Sequence, residues 1–325
     1  MKHLFFGGVH PADRKELTGR GIPAPAPIPA QVVIPLRQHI GAPCTPLVKP
    51  GDTVGLGQKL GDGEGLCVPV HASVSGLVTA VEPRPHPGGG QVLSVVIEND
   101  YQDTPASALE PHLDLSGLTK EEIVSIIGEA GIVGMGGATF PTDVKTVAGM
   151  GRVDTLIANA CECEPYITAD DALLCTYPEQ VLRGMGVLMA VLEPKRAVLA
   201  VEDNKSEAVG ILKKQMETFP GIELLVLPTR YPQGAEKQLI QAVTGRQVPP
   251  RRSAEGRGLR GVQCGHLRFD LQSGVRGGAG DPAHRHRHRR GGAGAEKPHR
   301  SHRCPVFGGH CRRGRADRRR VEGPL

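Results

Sequence analysis

Apolar strand patterns alternate with helical patterns between residues 118 and 245, and this alternation restricts the possible folds more than any other feature of the chain. The elements follow one another as helix 118–130, a short helix from 141, strand 154–160, helix 178–192, strand 196–203, helix 204–219, strand 223–228 and helix 234–244. Apolar strands joined by helices indicate a parallel sheet that is covered on both faces. We therefore predict an α/β domain over residues 118–250.

Polar residues follow two of these strands, and in open parallel sheets ligands bind beyond the carboxyl ends of the strands. Asn159, Glu162 and Glu164 lie at or just after the end of the first strand, and Glu202 lies at the end of the second. Carboxylates there can accept hydrogen bonds from ribose hydroxyls or a nicotinamide amide, and an Asn amide can reach the edge of a heterocycle. The alternative is that these residues only begin helices, because acidic residues favour first turns. We favour ligand contact for Glu162 and Glu164.

Five neighbouring residues are interpreted as structural. Thr168 and Asp171 are expected to begin a helix. Cys161 and Cys163 are separated by one residue, which is closer than the usual C-x₂-C pair of metal ligands. Cys175 is expected in the core.

A glycine-rich segment, GIVGMGGATFPTDVK, occupies residues 131–145. A capping box, Thr119 with Glu122 three residues later, begins the helix before it, and Thr139 is the expected N-cap of the helix from Pro141. A glycine loop that leads into a helix presents free N–H groups and the positive end of the helix dipole, which suits a phosphate. A purely structural turn explains the pattern equally well, because glycine is common wherever the backbone bends sharply.

Residues 32–100 consist of short β-branched runs separated by Gly, Pro and Asp, which predicts an all-β unit. Within it, VKPGDTVGLGQKL (48–60) followed by PVHASVSGLV (69–78) resembles the barrel-sandwich hybrid of biotinyl and lipoyl carrier domains. Those domains carry a modified Lys on the hairpin between their two halves, but the corresponding hairpin here, 61–67, contains no Lys. The resemblance supports the fold and argues against a swinging-arm carrier. The proline-rich run at 22–29 is expected to be an extended linker.

Charge divides the chain at about residue 250. Residues 251–325 contain 18 Arg and one Lys against six acidic residues, whereas residues 1–250 carry 20 basic and 28 acidic residues. The later part is dominated by Arg, Gly and His without strand or helix periodicity, so we expect it to be disordered. Three explanations stay open: a shift of reading frame at about Pro250, a basic arm for nucleic acid, and a His-rich metal site. We favour the frame shift, because a GC-rich gene translated out of frame tends to give a sequence rich in Arg, Gly, Ala and Pro.

No apolar run approaches the roughly 18–20 residues that a membrane-spanning helix needs, and the apolar stretch at the N-terminus is too short for a signal peptide. The eight Cys show no disulfide-framework spacing. These features favour a cytoplasmic location.

Six motifs, in order along the chain, resemble those of the RnfC family, a component of the Rnf electron-transport complex. They are GGVHP (7–11), QHIGAP (38–43), VKPGD, GMGGATFPTDVK, NACECEPYITADD and KQLIQAVTGRQVP (237–249). The run RYPQGAEKQLI at 230–240 is especially close to the family's motif. More distantly, GGATFPTDVK and NACECEP resemble the flavin site of the NADH-binding subunit of respiratory complex I. The resemblance covers residues 1–250.

This resemblance implies a peripheral subunit at the cytoplasmic face of the cell membrane that binds FMN and NAD(H). Such a subunit passes electrons between NADH and ferredoxin while other membrane subunits of the Rnf complex move sodium ions or protons. The residues implied to lie against FMN and its phosphate are Gly134, Gly136, Gly137 and Lys145. Those implied to line the flavin ring and nicotinamide pocket are Asn159, Glu162, Glu164 and Glu202. Cys161 stands where the complex I motif has Asp, so that contact is not carried over.

After Pro250 the resemblance ends. The family continues with a Gly-Gly-Leu-Pro segment, an Asn-Val-x-Thr flavin contact, a β-grasp domain and two four-cysteine runs that hold 4Fe–4S clusters. Cys264, Cys304 and Cys311 form no such run. We therefore predict an Rnf-type NAD-dependent electron-transfer subunit whose cluster ligands are absent from this chain, with no nucleic-acid partner. The alternatives are an inactive truncated product or scaffold that keeps the fold, or a basic-tailed nucleic-acid-binding protein.

The predicted organisation has five parts. They are an N-terminal extension (1–31), a barrel-sandwich hybrid domain (32–100), a linker (101–117), an FMN- and NADH-binding α/β domain (118–250) and a basic tail (251–325).

Overall fold

The computed structural model describes residues 7–19, 26–107, 115, 117–135 and 139–248, together with the backbone of residues 259–263. An all-β domain comes first along the chain and an α/β domain follows it. This order and the two fold classes confirm the sequence prediction.

Seven strands form the all-β domain. They are β1 (Gln31–Pro35), β2 (Thr45–Pro46), β3 (Thr53–Val54), β4 (Lys59–Asp62), β5 (Val70–His71), β6 (Gly76–Pro85) and β7 (Gln91–Asn99). A four-stranded sheet has the order β1-β7-β6-β3, and a three-stranded sheet has the order β2-β4-β5. Ile34 and Ile97 from the first sheet share one buried core with Leu60 from the second. The β-branched runs of the sequence therefore form a two-sheet sandwich around an aliphatic core.

The α/β domain contains six helices and four strands within the described ranges. In chain order they are α1 (Lys120–Glu129), α2 (Thr142–Gly149), β8 (Thr155–Ala160), α3 (Ala169–Thr176), α4 (Pro178–Leu192), β9 (Arg196–Glu202), α5 (Ser206–Gln215), β10 (Ile222–Leu227), α6 (Glu236–Thr244) and β11 (Leu259–Gln263). All strand pairs of this sheet are parallel, in the order β10-β9-β8-β11.

Successive residues of β8 and β9 face opposite sides of this sheet, as the period of a strand requires. Leu156 and Leu199 pack in a core with α1, α4 and α5, whereas Ile157 and Val198 pack against Leu239 of α6. Helices therefore cover both faces, which explains why the strands are apolar throughout. The predicted parallel sheet is confirmed.

The helix caps agree with the sequence at one position and disagree at another. The Glu122 backbone N–H donates to Thr119 Oγ1 over 3.2 Å, and the Thr119 N–H donates to Glu122 Oε2 over 2.7 Å, which confirms the capping box. The prediction that Thr139 caps α2 is wrong, because Pro141 occupies that position. If Thr139 were the N-cap, Phe140 would be the first helical residue. Phe140 precedes Pro141, and a residue before proline disfavours helical backbone angles.

Strand β11 lies within the segment that the sequence predicts to be disordered. Its backbone pairs with β8 from Leu259 opposite Thr155 to Gln263 opposite Asn159. An edge strand of this kind is held by main-chain hydrogen bonds, so it needs no alternation of apolar side chains to form. The rest of residues 251–325 lies outside the described residues.

The two domains meet beside the glycine-rich segment. Gly131 has a φ of +69°, and a Cβ at this position would lie 2.3 Å from the Pro69 carbonyl oxygen of the all-β domain. The Ile40 N–H donates to the Thr139 carbonyl over 3.3 Å, and Lys59 forms an ion pair with Glu129. The all-β domain therefore supports both ends of the glycine-rich segment.

Within the described ranges, no helix combines the length and the apolar character that crossing a membrane demands.

We expect Gly131→Ala to destabilise the chain more than Gly151→Ala does. Both glycines have positive φ, +69° and +66°, but a Cβ at Gly151 would meet no atom within 4 Å. The control therefore carries only the left-handed strain of roughly 1–2 kcal/mol, and Gly131→Ala adds the collision with Pro69. Chemical denaturation of both variants measures the difference, and equal losses of unfolding free energy would contradict the close domain contact.

Candidate functional site

The carboxyl ends of the parallel strands lie at one edge of the sheet, and four segments meet there. These segments are residues 160–164 after β8, residues 202–205 after β9, the loop 228–235 between β10 and α6, and the N-terminal segment 7–19. Helix α2 approaches the same edge, because Lys145 Nζ lies 3.8 Å from Glu236 Oε1 at the beginning of α6. This edge is where ligands bind in sheets of this kind.

The N-terminal segment 7–19 lies across this edge and is fixed by backbone pairing. Val9 and Tyr231 exchange two N–H to carbonyl hydrogen bonds of 2.9 and 2.8 Å. The Tyr166 N–H donates to the Asp13 carbonyl over 2.8 Å, and Arg230 Nη1 donates to the Gly7 carbonyl over 3.1 Å. The segment thus joins the loops that follow β8 and β10, although it is far from both in sequence.

A buried charge cluster lies beneath this segment. Glu162 Oε2 lies 3.4 Å from Lys205 Nζ and 4.0 Å from Lys15 Nζ. Lys15 Nζ also donates to the carbonyls of Glu162 and Ile167, over 2.6 and 2.5 Å. The Asp170 backbone N–H donates to Glu162 Oε1 over 2.8 Å. One carboxylate therefore holds together the end of β8, the start of α3, the end of β9 and the N-terminal segment.

Burial changes the protonation of the groups in this cluster. Burial lowers the pKa of Lys15, and the neighbouring Lys205 lowers it further. Burial raises the pKa of Asp170 to about 7, and the charge of Glu162 adds to the shift. Both groups are thereby pushed towards neutrality, as expected where like charges share a desolvated site.

Glu202 ends β9 with a fully buried side chain at 0% exposure. Burial raises the pKa of its carboxyl to about 7, and the backbone of Arg230 and the charge of Lys15 offset only part of that effect. Within the described residues, neither carboxylate oxygen has a hydrogen-bond partner of normal geometry. A buried carboxyl in this state is unusual, because buried polar groups are nearly always paired.

Gln233 is also buried without hydrogen-bond partners. Its side chain is at 0% exposure, and within the described part of the chain both its amide oxygen and its amide nitrogen lack partners. The adjacent Gly234 lies so close to the end of β8 that a Cβ would be 2.1 Å from the Cys161 carbonyl oxygen. The backbone at this point therefore requires glycine, and it fixes Gln233 at the carboxyl edge.

The predicted pocket residues differ in how the structure places them. Asn159 Nδ2 donates to the Gly234 carbonyl over 2.8 Å and its Oδ1 accepts from the Cys161 N–H over 3.1 Å, so the amide ties β8 to the following loop. Glu162 and Glu202 are buried at the same edge, whereas Glu164 is exposed. Direct flavin contact by these residues stays a prediction.

The predicted phosphate site is described only in part. Gly134 donates its N–H to the Phe140 carbonyl over 2.8 Å, which closes the glycine loop as a hairpin. Lys145 lies on α2 with a side chain that is partly exposed. Gly136 and Gly137 lie outside the described residues. A role for these four residues in FMN binding stays a prediction.

Four residues of the edge were given no role in the sequence analysis: Lys15, Asp170, Lys205 and Gln233. Lys205 lies two residues after the predicted strand 196–203, and Gln233 lies inside the run RYPQGAEKQLI, so both stand in or beside segments that the sequence singled out. Lys15 carries no local signal, because its partner Glu162 is 147 residues away. Thr168 precedes α3, as predicted.

The stability of the fold should decrease as pH rises, and Glu202→Gln should weaken that dependence. A carboxyl whose pKa is higher in the folded than in the unfolded chain loses stabilisation as pH rises from the unfolded value of 4.5 to about 7. We expect the wild type to lose roughly 1–3 kcal/mol more unfolding free energy than Glu202→Gln between about pH 5 and about pH 8. Denaturant titrations at both pH values measure this, with the exposed Glu164→Gln as control. The same pH slope in all three proteins would contradict the assignment.

Two family models match separate parts of the chain. Residues 3–102 match the RnfC barrel sandwich hybrid domain, and residues 127–264 match the Nuo51 FMN-binding domain. The second match extends to the end of β11, beyond the limit of 250 at which the resemblance ended in the sequence analysis.

Named relatives agree with these matches. The chain is 48% identical over 252 residues to the C subunit of the Na(+)-translocating ferredoxin:NAD(+) oxidoreductase complex of Acetobacterium woodii, covering 77% of this chain and 57% of the relative. It is 45% identical over 248 residues to the C subunit of the ion-translocating oxidoreductase complex of Serratia proteamaculans, covering 75% of this chain and 35% of the relative. The chain thus spans between about a third and somewhat more than half of these relatives.

Among solved structures, an NAD⁺-reducing [NiFe]-hydrogenase in the air-oxidised state is similar with a TM-score of 0.43 and 24% identity, covering 48% of this chain and 30% of that chain. The family assignment rests on the two domain matches and on the curated relatives. Over the three quarters of its length that they cover, the chain belongs to the RnfC family, with a barrel-sandwich hybrid domain followed by an FMN-binding domain of the Nuo51 type.

Proposed function

We propose that this chain is the FMN- and NAD(H)-binding part of the RnfC component of an ion-translocating ferredoxin:NAD⁺ oxidoreductase. The observation that carries the proposal is the match of residues 127–264 to an FMN-binding domain. Polar atoms of Glu202 and Gln233 that have no hydrogen-bond partner of normal geometry among the described residues are buried at the carboxyl edge of that domain's sheet. A nucleotide cofactor at this edge supplies hydrogen-bond partners of the kind that the two side chains lack.

The residues present fit FMN in their chemistry. Lys145 on α2 provides a cation for the phosphate, and the resemblance to the RnfC family implies that the glycines before it lie against FMN. Gln233 offers both a donor and an acceptor, which suits the edge of a flavin ring, and the carboxyl of Glu202 suits a hydroxyl group or a ring N–H. Bound FMN supplies the exchange between hydride transfer and single-electron transfer.

The remaining side chains prepare the edge for a polar ligand. Lys15 and Lys205 hold the Glu162 carboxylate in place, so that β8, β9 and the N-terminal segment keep a fixed arrangement. Because the pKa of Glu202 is raised to about 7, its carboxyl can hold or release a proton near neutral pH. Asn159 fixes the position of Gln233 through the adjacent Gly234 carbonyl.

The names of the relatives extend the proposal from this chain to a whole complex. Relatives of this chain are named as parts of ferredoxin:NAD(+) oxidoreductase complexes that translocate sodium ions or protons. We propose ferredoxin, NADH and the other members of the complex as partners, and a peripheral position at the cytoplasmic face of the membrane. The two four-cysteine runs that hold 4Fe–4S clusters in the family are absent from the sequence, in which no C-x₂-C pair occurs.

We further propose that residues 251–325 are read in a shifted frame, although the FMN-domain match runs on to residue 264 in the present frame. Back-translation of the protein sequence shows whether the expected motifs are compatible with another frame. With CGN codons for Arg251 and Arg252, TCN for Ser253 and GCN for Ala254, the frame displaced by one nucleotide reads GNC-GNT-CNG-CNG. This frame can encode Gly-Gly-Leu-Pro, the segment with which the family continues after Pro250.

The second expected motif fits the same displaced frame. Gln263, Cys264, Gly265 and His266, followed by a CTN leucine codon, give ART-GYG-GNC-AYC one nucleotide later. These codons encode Asn-Val-x-Thr, the expected flavin contact, if Gln263 is CAA, Cys264 is TGT and His266 is CAC. Both motifs are thus compatible with the same displaced frame and stand in the expected order, and for this reason we favour a frame shift over a basic nucleic-acid arm.

Sequencing the gene across codons 240–330 tests this assignment. We expect the frame displaced by one nucleotide to encode Gly-Gly-Leu-Pro at codons 251–254, Asn-Val-x-Thr at codons 263–266, and two four-cysteine runs further on. Stop codons in that frame, or codons that specify other residues at these positions, would contradict the proposal and favour a genuine basic tail.

FMN binding tests the proposed function directly. Purified full-length chain should quench flavin fluorescence on titration with FMN, and Lys145→Gln should weaken FMN binding roughly tenfold to a hundredfold through loss of a charge-assisted hydrogen bond. Binding of riboflavin, which lacks the phosphate, should be the same in both proteins. Lys213→Gln on the exposed face of α5 is the matched control. A folded chain that binds neither flavin would instead support the inactive scaffold.

A further inference from the structure

Three potential metal ligands lie together in the all-β domain, outside the site described above. His39 belongs to the loop between β1 and β2, Cys44 directly precedes β2, and Cys67 lies in the segment between β4 and β5. Their ligand atoms all lie within 4.8 Å of one another. Nothing in the sequence marked the group, because 23 residues separate the two cysteines.

Two of the three distances between these atoms are close to those around a tetrahedral zinc ion. Cys44 Sγ lies 3.5 Å from Cys67 Sγ, and Cys67 Sγ lies 3.7 Å from His39 Nε2. Zinc–sulfur bonds of about 2.3 Å and a zinc–nitrogen bond of about 2.0 Å at tetrahedral angles place two sulfurs about 3.8 Å apart, and sulfur and nitrogen about 3.5 Å apart. These two distances therefore agree with a zinc site to within a few tenths of an ångström, and the third pair, Cys44 Sγ and His39 Nε2, lies within 4.8 Å.

The surroundings of His39 orient its ring for such a role. The ring is buried, at 5% exposure, and Nδ1 lies 3.2 Å from the Ile40 carbonyl oxygen. Nε2 lies 3.2 Å from the Val68 carbonyl oxygen and 3.7 Å from Cys67 Sγ. In the tautomer with its proton on Nδ1, donated to the Ile40 carbonyl, Nε2 keeps its lone pair for a metal. Metal-binding histidines are usually held in this way by a backbone carbonyl on the other ring nitrogen. In the present arrangement the Val68 N–H lies 3.3 Å from the same Nε2.

Glycines allow the hairpin to close over the two sulfurs. A Cβ at Gly63 would lie 2.9 Å from Cys67 Sγ, and a Cβ at Gly61 would lie 3.0 Å from the Cys44 Cβ. Residues 63–66 are exposed and Cys67 is half-buried, so an ion can enter from the hairpin side. In carrier domains the corresponding hairpin presents a modified Lys. In this chain the hairpin 61–67 covers the thiols of Cys44 and Cys67.

We propose that His39, Cys44 and Cys67 form a site for a thiophilic metal ion, Zn²⁺, that fastens the β1–β2 loop to the hairpin 61–67. The three side chains supply two sulfur ligands and one nitrogen ligand, a set typical of zinc sites. Ile40, next to His39, donates to the Thr139 carbonyl at the end of the glycine loop. The ion thus fixes the all-β loop that supports the glycine loop of the α/β domain.

Cobalt substitution and zinc analysis test the proposal on the full chain, purified under reducing conditions. Co²⁺ added to chelator-treated wild type should produce thiolate-to-metal charge transfer in the near ultraviolet and the visible bands of tetrahedral cobalt. Zn²⁺ should then displace the cobalt, with about one equivalent bound at this site. A wild type that develops no thiolate-to-cobalt band overturns the proposal, whatever its variants do.

Variants separate this site from the His-rich stretch at residues 284–290. Cys67→Ser should abolish the charge-transfer band or weaken zinc affinity at least roughly tenfold, while Cys175→Ser in α3, which keeps all three ligands, should bind as the wild type does. Equal zinc affinity in Cys67→Ser and wild type would place the bound metal elsewhere and overturn the proposal. A Cys44–Cys67 disulfide in protein purified without reductant, together with no zinc uptake after reduction, would also overturn it.

Discussion

The arrangement of the carboxyl edge depends on the buried Glu162 carboxylate and the two lysines that face it. Transfer of a charge from water into a protein interior costs several kcal/mol unless partners compensate for it. Here Lys205 and Lys15 provide opposite charge, and the Asp170 N–H provides a hydrogen bond. Removal of any one partner leaves the others buried and unbalanced. The N-terminal segment is therefore as necessary to this edge as the strands themselves.

The sequence predicted what local periodicity determines. Apolar strands alternating with helices specified the parallel sheet, and the predicted bounds of α4 agree with its observed span, Pro178–Leu192. The capping box at Thr119 was visible because both of its partners lie within one turn of helix. The positions of Glu162 and Glu202 at the carboxyl edge followed from the parallel order of β8 and β9. These features need only short segments and the general geometry of parallel sheets.

Local sequence could not predict the contacts that join distant segments. Lys15 reaches Glu162 across 147 residues, and His39, Cys44 and Cys67 meet only after two sheets have packed together. The N-cap of α2 was assigned wrongly because the conformational restriction before Pro141 outweighs the preference of Thr139 for a cap position. The pairing of β11 was missed because a main-chain ladder places few demands on side chains. In each case the deciding interaction lies outside the local pattern.

Within the described residues, Glu202 and Gln233 leave buried polar atoms unpaired at the carboxyl edge. A buried donor or acceptor without a partner costs roughly 1–3 kcal/mol, and Glu202 and Gln233 present four such atoms within the described residues. Apolar side chains at these positions would avoid the penalty, and the surrounding helices already provide an aliphatic core. The same two side chains gain that energy back when a ligand pairs with them, so binding and stability are linked. Under the proposed function, a nucleotide bound at this edge would therefore stabilise the domain by pairing with these two side chains.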